Sequence, residues 1–225
     1  MSKPKLLHLA MLLASLIAAG AQAAPALAPA LQAELDRAVR AYESGQAARA
    51  RAAFESLARR GVPAAAHNLA VMHLRGELAR PDLALARRLL EQAAAAGFVT
   101  AQLTLAQALE NADLGARDLA GAHTWYARAA EGGSVDAQVA MGTAFYLGRG
   151  QPKDLTQAAH WFREAAKGGD VGAMYLLASM YEQGDGVERD LRLARYWYDV
   201  AAKNGDEAAP AKLKELEARL AGVPS

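Results

Sequence analysis

The chain of 225 residues contains no cysteine. Disulfides, thiolate metal sites, cysteine nucleophiles and a cysteine-linked lipid anchor are therefore excluded, and stability is left to packing. No sign of charge dominates either: 25 Lys and Arg stand against 24 Asp and Glu, a net charge of +1. Without Lys3 and Lys5 in the N-terminal segment the balance becomes +1 − 2 = −1, since no acidic residue lies there. That offers no electrostatic case for binding nucleic acid or an anionic membrane. Chemical motifs are equally scarce. There is no Gly-x4-Gly-Lys-Ser/Thr phosphate loop, no His-Glu-x-x-His and no Gly-x-Ser-x-Gly. The only Ser-x-x-Lys runs from Ser2 to Lys5. No enzyme activity, cofactor or metal is expected.

The longest mostly apolar run, Leu6 to Ala19, falls short of the roughly 20 residues that span a bilayer. It follows Lys3 and Lys5 and precedes Ala21-Gln22-Ala23, the small-x-small pattern of a signal-peptidase site, with no twin arginine before it. Residues 1–23 are thus expected to be a cleaved signal peptide. The chain from Ala24 onward is then periplasmic or secreted, without membrane insertion. Ala24 to Ala30, reading APALAPA, is expected to be a flexible tether.

What the chain does have is a register. Gly61, Gly97, Gly133, Gly169 and Gly205 are each 36 residues apart, as are Asp82, Asp118, Asp154 and Asp190, and Ala86, Ala122, Ala158 and Ala194. Such a period marks a solenoid, in which each unit buries its apolar face only against its neighbours. The register gives units at about 31–62, 64–98, 99–134, 135–170 and 171–206. A charged C-terminal helix within 207–225, Pro210 to Leu220, is expected to cap the array.

Each unit reads helix, turn, helix, glycine, so the predicted fold is an all-α, α/α solenoid. In the unit 135–170, Ala137, Met141 and Phe145 recur at i, i+4 and i+8, with Gly142 offering a close approach. In its second helix Ala158, Trp161, Phe162 and Ala165 make one apolar stripe. The aspartates precede each second helix and are predicted to cap it, while the glycines suit the left-handed position just beyond its end.

The last two units, with their Gly148/Gly150 and Gly184/Gly186 turns and the pairs Trp161-Phe162 and Trp197-Tyr198, resemble Sel-one-like repeats, relatives of tetratricopeptide repeats. Paired alanines before each closing glycine also match. Two units depart from the pattern: 64–98 has Leu89-Leu90 in place of the aromatics, and 99–134 has Asn111-Ala112-Asp113-Leu114 in place of the Gly-x-Gly turn, which leaves the geometry of that loop open. The resemblance implies a right-handed superhelix acting as an adaptor in protein–protein contacts, often at the bacterial envelope or in host interaction.

In that arrangement the first helix of each unit lines the concave side. Its groove-facing stripe reads His67, Val71, Leu74, then Leu103, Gln107, Glu110, then Val139, Thr143, Tyr146, then Tyr175, Ser179, Glu182. Tyrosines, aliphatics and short polar groups with few lysines suit a protein or peptide partner. The alternative role for any of these residues is to fill gaps between adjacent first helices.

The remaining chemistry-bearing residues read as structural. His67 and His73 are six apart and cannot share a metal as an i, i+4 pair could. His73 stands where Phe145 and Tyr181 stand, a core place, whereas His123 and His160 are expected at the surface. Glu131 and Glu164 lie near helix ends as solvated carboxylates. Trp125, Trp161 and Trp197 share one register and are expected in the core, with stacking on sugars as the alternative. Two other readings stay open: a cell-wall enzyme or glycan-binding protein, and a structural part of an envelope secretion or polysaccharide-export assembly.

Overall fold

The computed structural model describes residues 27–222. The predicted leader, its cleavage site and the Ser2 to Lys5 motif lie outside the described residues. Among those described, eleven helices and no strands occur: α1 (Pro29–Glu43), α2 (Ala47–Arg59), α3 (Pro63–Leu74), α4 (Leu83–Ala95), α5 (Val99–Glu110), α6 (Leu119–Glu131), α7 (Val135–Leu147), α8 (Leu155–Lys167), α9 (Val171–Gln183), α10 (Leu191–Lys203) and α11 (Ala209–Leu220). Each packs on the next in chain order, and α3 also touches α5. The chain is an α/α solenoid. The first helix begins at Pro29, two residues inside the expected tether, because proline suits the first helical turn.

Local chemistry sets the boundaries. Asp82, Asp118, Asp154 and Asp190 each accept a hydrogen bond from the amide three residues on, at 2.8, 2.8, 3.0 and 3.0 Å. Each bond satisfies a first-turn donor that lacks an intrahelical partner, about 1 kcal/mol apiece. The second helices all end alike. At the first, Gly61 N–H donates to the Ala58 carbonyl and Val62 N–H to the Leu57 carbonyl, and the same pair of bonds closes α4, α6, α8 and α10. This double closure needs a left-handed residue, and Gly61, Gly97, Gly133, Gly169 and Gly205 supply φ of 79°, 81°, 88°, 95° and 95°.

The paired alanines sit beneath these closures. Ala93, Ala94, Ala129, Ala130, Ala165 and Ala166 are buried, leaving room for the next first helix. Gly142 is a close approach as expected: a Cβ there would stand 2.7 Å from the Phe162 ring. The core runs through the stack in two clusters, Leu35 to Met141 and Ala158 to Leu216, and Phe145 packs against both.

His73 is buried, and its Nδ1 accepts the Asp82 amide at 3.0 Å. In later units the capping aspartate's amide goes instead to the carbonyl of the residue at the His73 place, Leu109, Phe145 or Tyr181, each at 3.0 Å. The imidazole thus does a backbone carbonyl's work in the second unit. The loop 111–114 keeps its key geometry despite its sequence. Ala112 adopts φ 66°, close to Gly76 at 65° and Gly148 at 69°, which share its register.

Candidate functional site: the face of the first helices

The first helices α3, α5, α7 and α9 form one layer, and His67 Nε2 lies 3.0 Å from Thr104 Oγ1 across adjacent units. Burial holds the His67 imidazole well below its ordinary value, at about 4, so the ring is neutral at physiological pH. Of the twelve stripe residues, ten are half-buried. Val71 and Glu182 are buried, which corrects the expectation that they face a partner.

Glu182 is buried because it ties three elements together. Its Oε2 accepts the Tyr198 hydroxyl of α10 at 3.0 Å, and its Oε1 takes the Arg219 guanidinium of α11. Its carbonyl accepts Arg189 Nε at 3.0 Å. Burying a carboxylate is costly unless it is paired and hydrogen-bonded, and the Tyr198 hydroxyl and Arg219 guanidinium meet that need here. Glu110 repeats the arrangement: Tyr126 hydroxyl on Oε2 at 2.7 Å, Arg149 on Oε1 at 3.2 Å, and Arg117 Nε on its carbonyl at 2.9 Å. Burial and the adjacent carboxylate push both phenols, Tyr126 and Tyr198, above the usual tyrosine range.

Three members of the two clusters are 72 residues apart, 110 to 182, 117 to 189 and 126 to 198, whereas the arginine on Oε1 comes from different places, Arg149 from the loop after α7 and Arg219 from α11. The unit between them substitutes an aromatic version. Tyr146 stands at the glutamate place, Lys153 at the arginine place with Nζ 5.5 Å from the Tyr146 ring centroid, and Phe162 at the tyrosine place. An ionic, an aromatic and a second ionic layer thus follow one another, while the unit before them has Leu74, Pro81 and Leu90 at the same places. The sequence carried this as one recurrence at 72 residues, which reading one unit at a time passes over.

A cavity of about 160 Å³ opens between α5, α6 and α7, lined by Glu110, Leu119, Ala122, His123, Tyr126, Ala140, Thr143, Ala144 and Arg149. Two of these, Glu110 and Thr143, belong to the predicted stripe. His123 is half-buried with its ring edge-on to Phe145 at 5.5 Å, correcting its expected surface place. His160 is exposed and edge-on to Trp161 at 4.9 Å.

The tryptophan row packs against the core as expected, but from its edge. Trp125, Trp161 and Trp197 are half-buried at the core's edge, whereas their neighbours Tyr126, Phe162 and Tyr198 are buried. Arg128 covers the Trp125 ring at 4.5 Å. Among the described residues no group of three or more His, Asp or Glu is placed to hold a metal ion. No helix among them is long and apolar enough to cross a membrane.

Capped two-helix units stacked in one register, with an uninterrupted layer of first helices, define a helical-repeat solenoid. Residues 63–98, 99–134, 135–170 and 171–206 match the Sel1 repeat, and the chain belongs to that family. Proteins of this family are in general scaffolds for protein–protein interaction. Among solved structures, a protective antigen present in uropathogenic Escherichia coli strains, displaying an SLR fold, is similar at 28% identity and a TM-score of 0.77. That match covers 86% of this chain but 42% of the antigen, so this chain spans about two-fifths of its length. A Sel1 repeat protein from Oxalobacter formigenes is 27% identical with a TM-score of 0.76, over 84% of this chain and 77% of that one. No curated protein matches the chain.

Proposed function

We propose that the protein is a non-catalytic scaffold of the cell envelope, periplasmic or secreted, that binds a protein or peptide segment along its first helices. The observation that carries this is the half-buried row on α3, α5, α7 and α9, His67, Leu103, Gln107, Val139, Thr143, Tyr146, Tyr175 and Ser179 among it. These side chains are held by the core yet keep surface to offer, and the row mixes aromatic, aliphatic and polar groups as protein interfaces do. The direct contact of α3 with α5 through His67 and Thr104 favours the first helices as the inner side of the curve. The leader-like residues 1–23 support export.

The test is affinity capture from envelope extract of the producing organism, comparing wild type with Tyr146→Ala/Tyr175→Ala by mass spectrometry. Circular dichroism checks that both proteins are folded. A protein retained by wild type and lost by the folded double variant supports the groove. Retention unchanged by the double variant refutes it.

A further inference from the structure

Two alanines of α7 line the cavity between α5, α6 and α7, and the one at 144 stands where later layers bury a larger side chain. Ala140 and Ala144 of α7 stand where α9 carries Leu176 and Met180. In α11 the place of Ala144 is taken by Leu216, which is fully buried, as Met180 nearly is. One unit earlier, Ala108 at this place is also buried, whereas Ala144 stays partly open. The array thus leaves one space unfilled at its middle that it fills in later layers with a leucine or a methionine.

At one edge of that space stand Arg149 and Glu110, with the Arg149 guanidinium on the solvent side. The loop 148–154 brings Arg149 onto Glu110 at 3.2 Å and Lys153 over the Tyr146 ring. The Arg149 side chain is 47% exposed, so guanidinium N–H groups beyond the one on Glu110 stay hydrated and can be transferred to a second carboxylate. An apolar cavity near 150 Å³ holds a group about the size of benzene, which matches one aliphatic side chain.

Resting on the groove reading, we propose that this cavity is the anchor subsite of the groove. It takes a leucine- or methionine-like side chain of a partner peptide, while an aspartate or glutamate of the same peptide pairs with Arg149. Charge complementarity and the filling of the same space by Leu216 and Met180 in other layers choose this occupant.

A phage-displayed random dodecapeptide library panned on the full chain tests it. The enriched peptides should share an aliphatic residue beside an acidic one. Ala144→Leu, which imports the α11 residue, should weaken their binding about ten- to a hundredfold, the worth of one buried aliphatic side chain. Its melting temperature should not fall. Should that variant fail to fold, Ala144→Met, which imports the buried α9 residue Met180, makes the same test. Arg149→Ala should weaken only peptides with the acidic residue. Peptides lost on Tyr146→Ala/Tyr175→Ala but indifferent to Ala144→Leu and Ala144→Met would overturn the subsite and leave the groove standing. No enriched sequence, or peptides indifferent to all these substitutions, would overturn both.

Discussion

Replacing Ala112 with glycine should stabilise the protein. Ala112 is the only non-glycine residue with positive φ among those described, at 66°, and its register partners Gly76, Gly148 and Gly184 hold 65°, 69° and 84°. The left-handed conformation costs an alanine roughly 1–2 kcal/mol through the crowding of its Cβ. Glycine removes that cost but gives back about 0.5–1 kcal/mol by loosening the unfolded chain. The net expectation is a gain of about 0.5–1 kcal/mol. No packing offsets it, because Ala112 is exposed. The surrounding bonds, Asp113 N–H to the Ala108 carbonyl at 2.9 Å and Gly115 N–H to the Ala112 carbonyl at 3.2 Å, involve only main chain. Urea unfolding followed by circular dichroism reads the effect as a higher midpoint at unchanged slope. In a thermal scan it is about 1–4 °C for a chain of this size. Ala112→Val, whose branched side chain fits the left-handed region worse, should move the midpoint down by on the order of 1 kcal/mol. A glycine variant less stable than wild type, or a valine variant equal to it, would refute the reasoning.

Two further outcomes are expected. Arg219→Ala should destabilise by about 2 kcal/mol, below the 3–5 of a fully buried pair because Arg219 is 33% exposed while Glu182 is 5%; hydrogen exchange should show α11 opening first, and Glu182→Gln in that background should restore much of the loss by removing the unpaired charge. His67 gives an acid limb: burial lowers its folded value from 6.5 to about 4, so the unfolded chain binds the proton more readily, and stability present at pH 7 is lost as pH falls from about 6.5 toward 4. His67→Gln should flatten urea midpoints across that window, and an unchanged slope there would show that His67 is not the group responsible.

Helix order and boundaries were legible because caps and stops obey one geometry. An aspartate before a helix and a glycine after it each answer a local main-chain demand, so Asp154 and Gly169 could be placed without knowing any neighbour. Gly142 was legible for a similar reason, since a glycine inside an apolar helix face means that something comes close. What depends on the next unit was harder to read. His123 is half-buried against Phe145, a residue of the following layer, and Glu182 is closed over by Tyr198 and Arg219. The loop at Ala112 looked altered because its glycine is missing, yet the end of α5 imposes a left-handed residue there whatever its side chain.

The difference between successive layers bears on how a ligand can be read along the array. A solenoid of identical units is degenerate: a ribbon lying on it finds equivalent seats one unit apart and can slip between them. Here a displacement by one unit exchanges Glu110 for Tyr146 and Arg117 for Lys153 over an aromatic ring. Only a displacement by two units restores a glutamate, and there the covering arginine is Arg219 of α11 in place of the loop residue Arg149. The units carrying Glu110, Tyr146 and Glu182 therefore differ from their immediate neighbours, so the face they make is not degenerate at a shift of one unit.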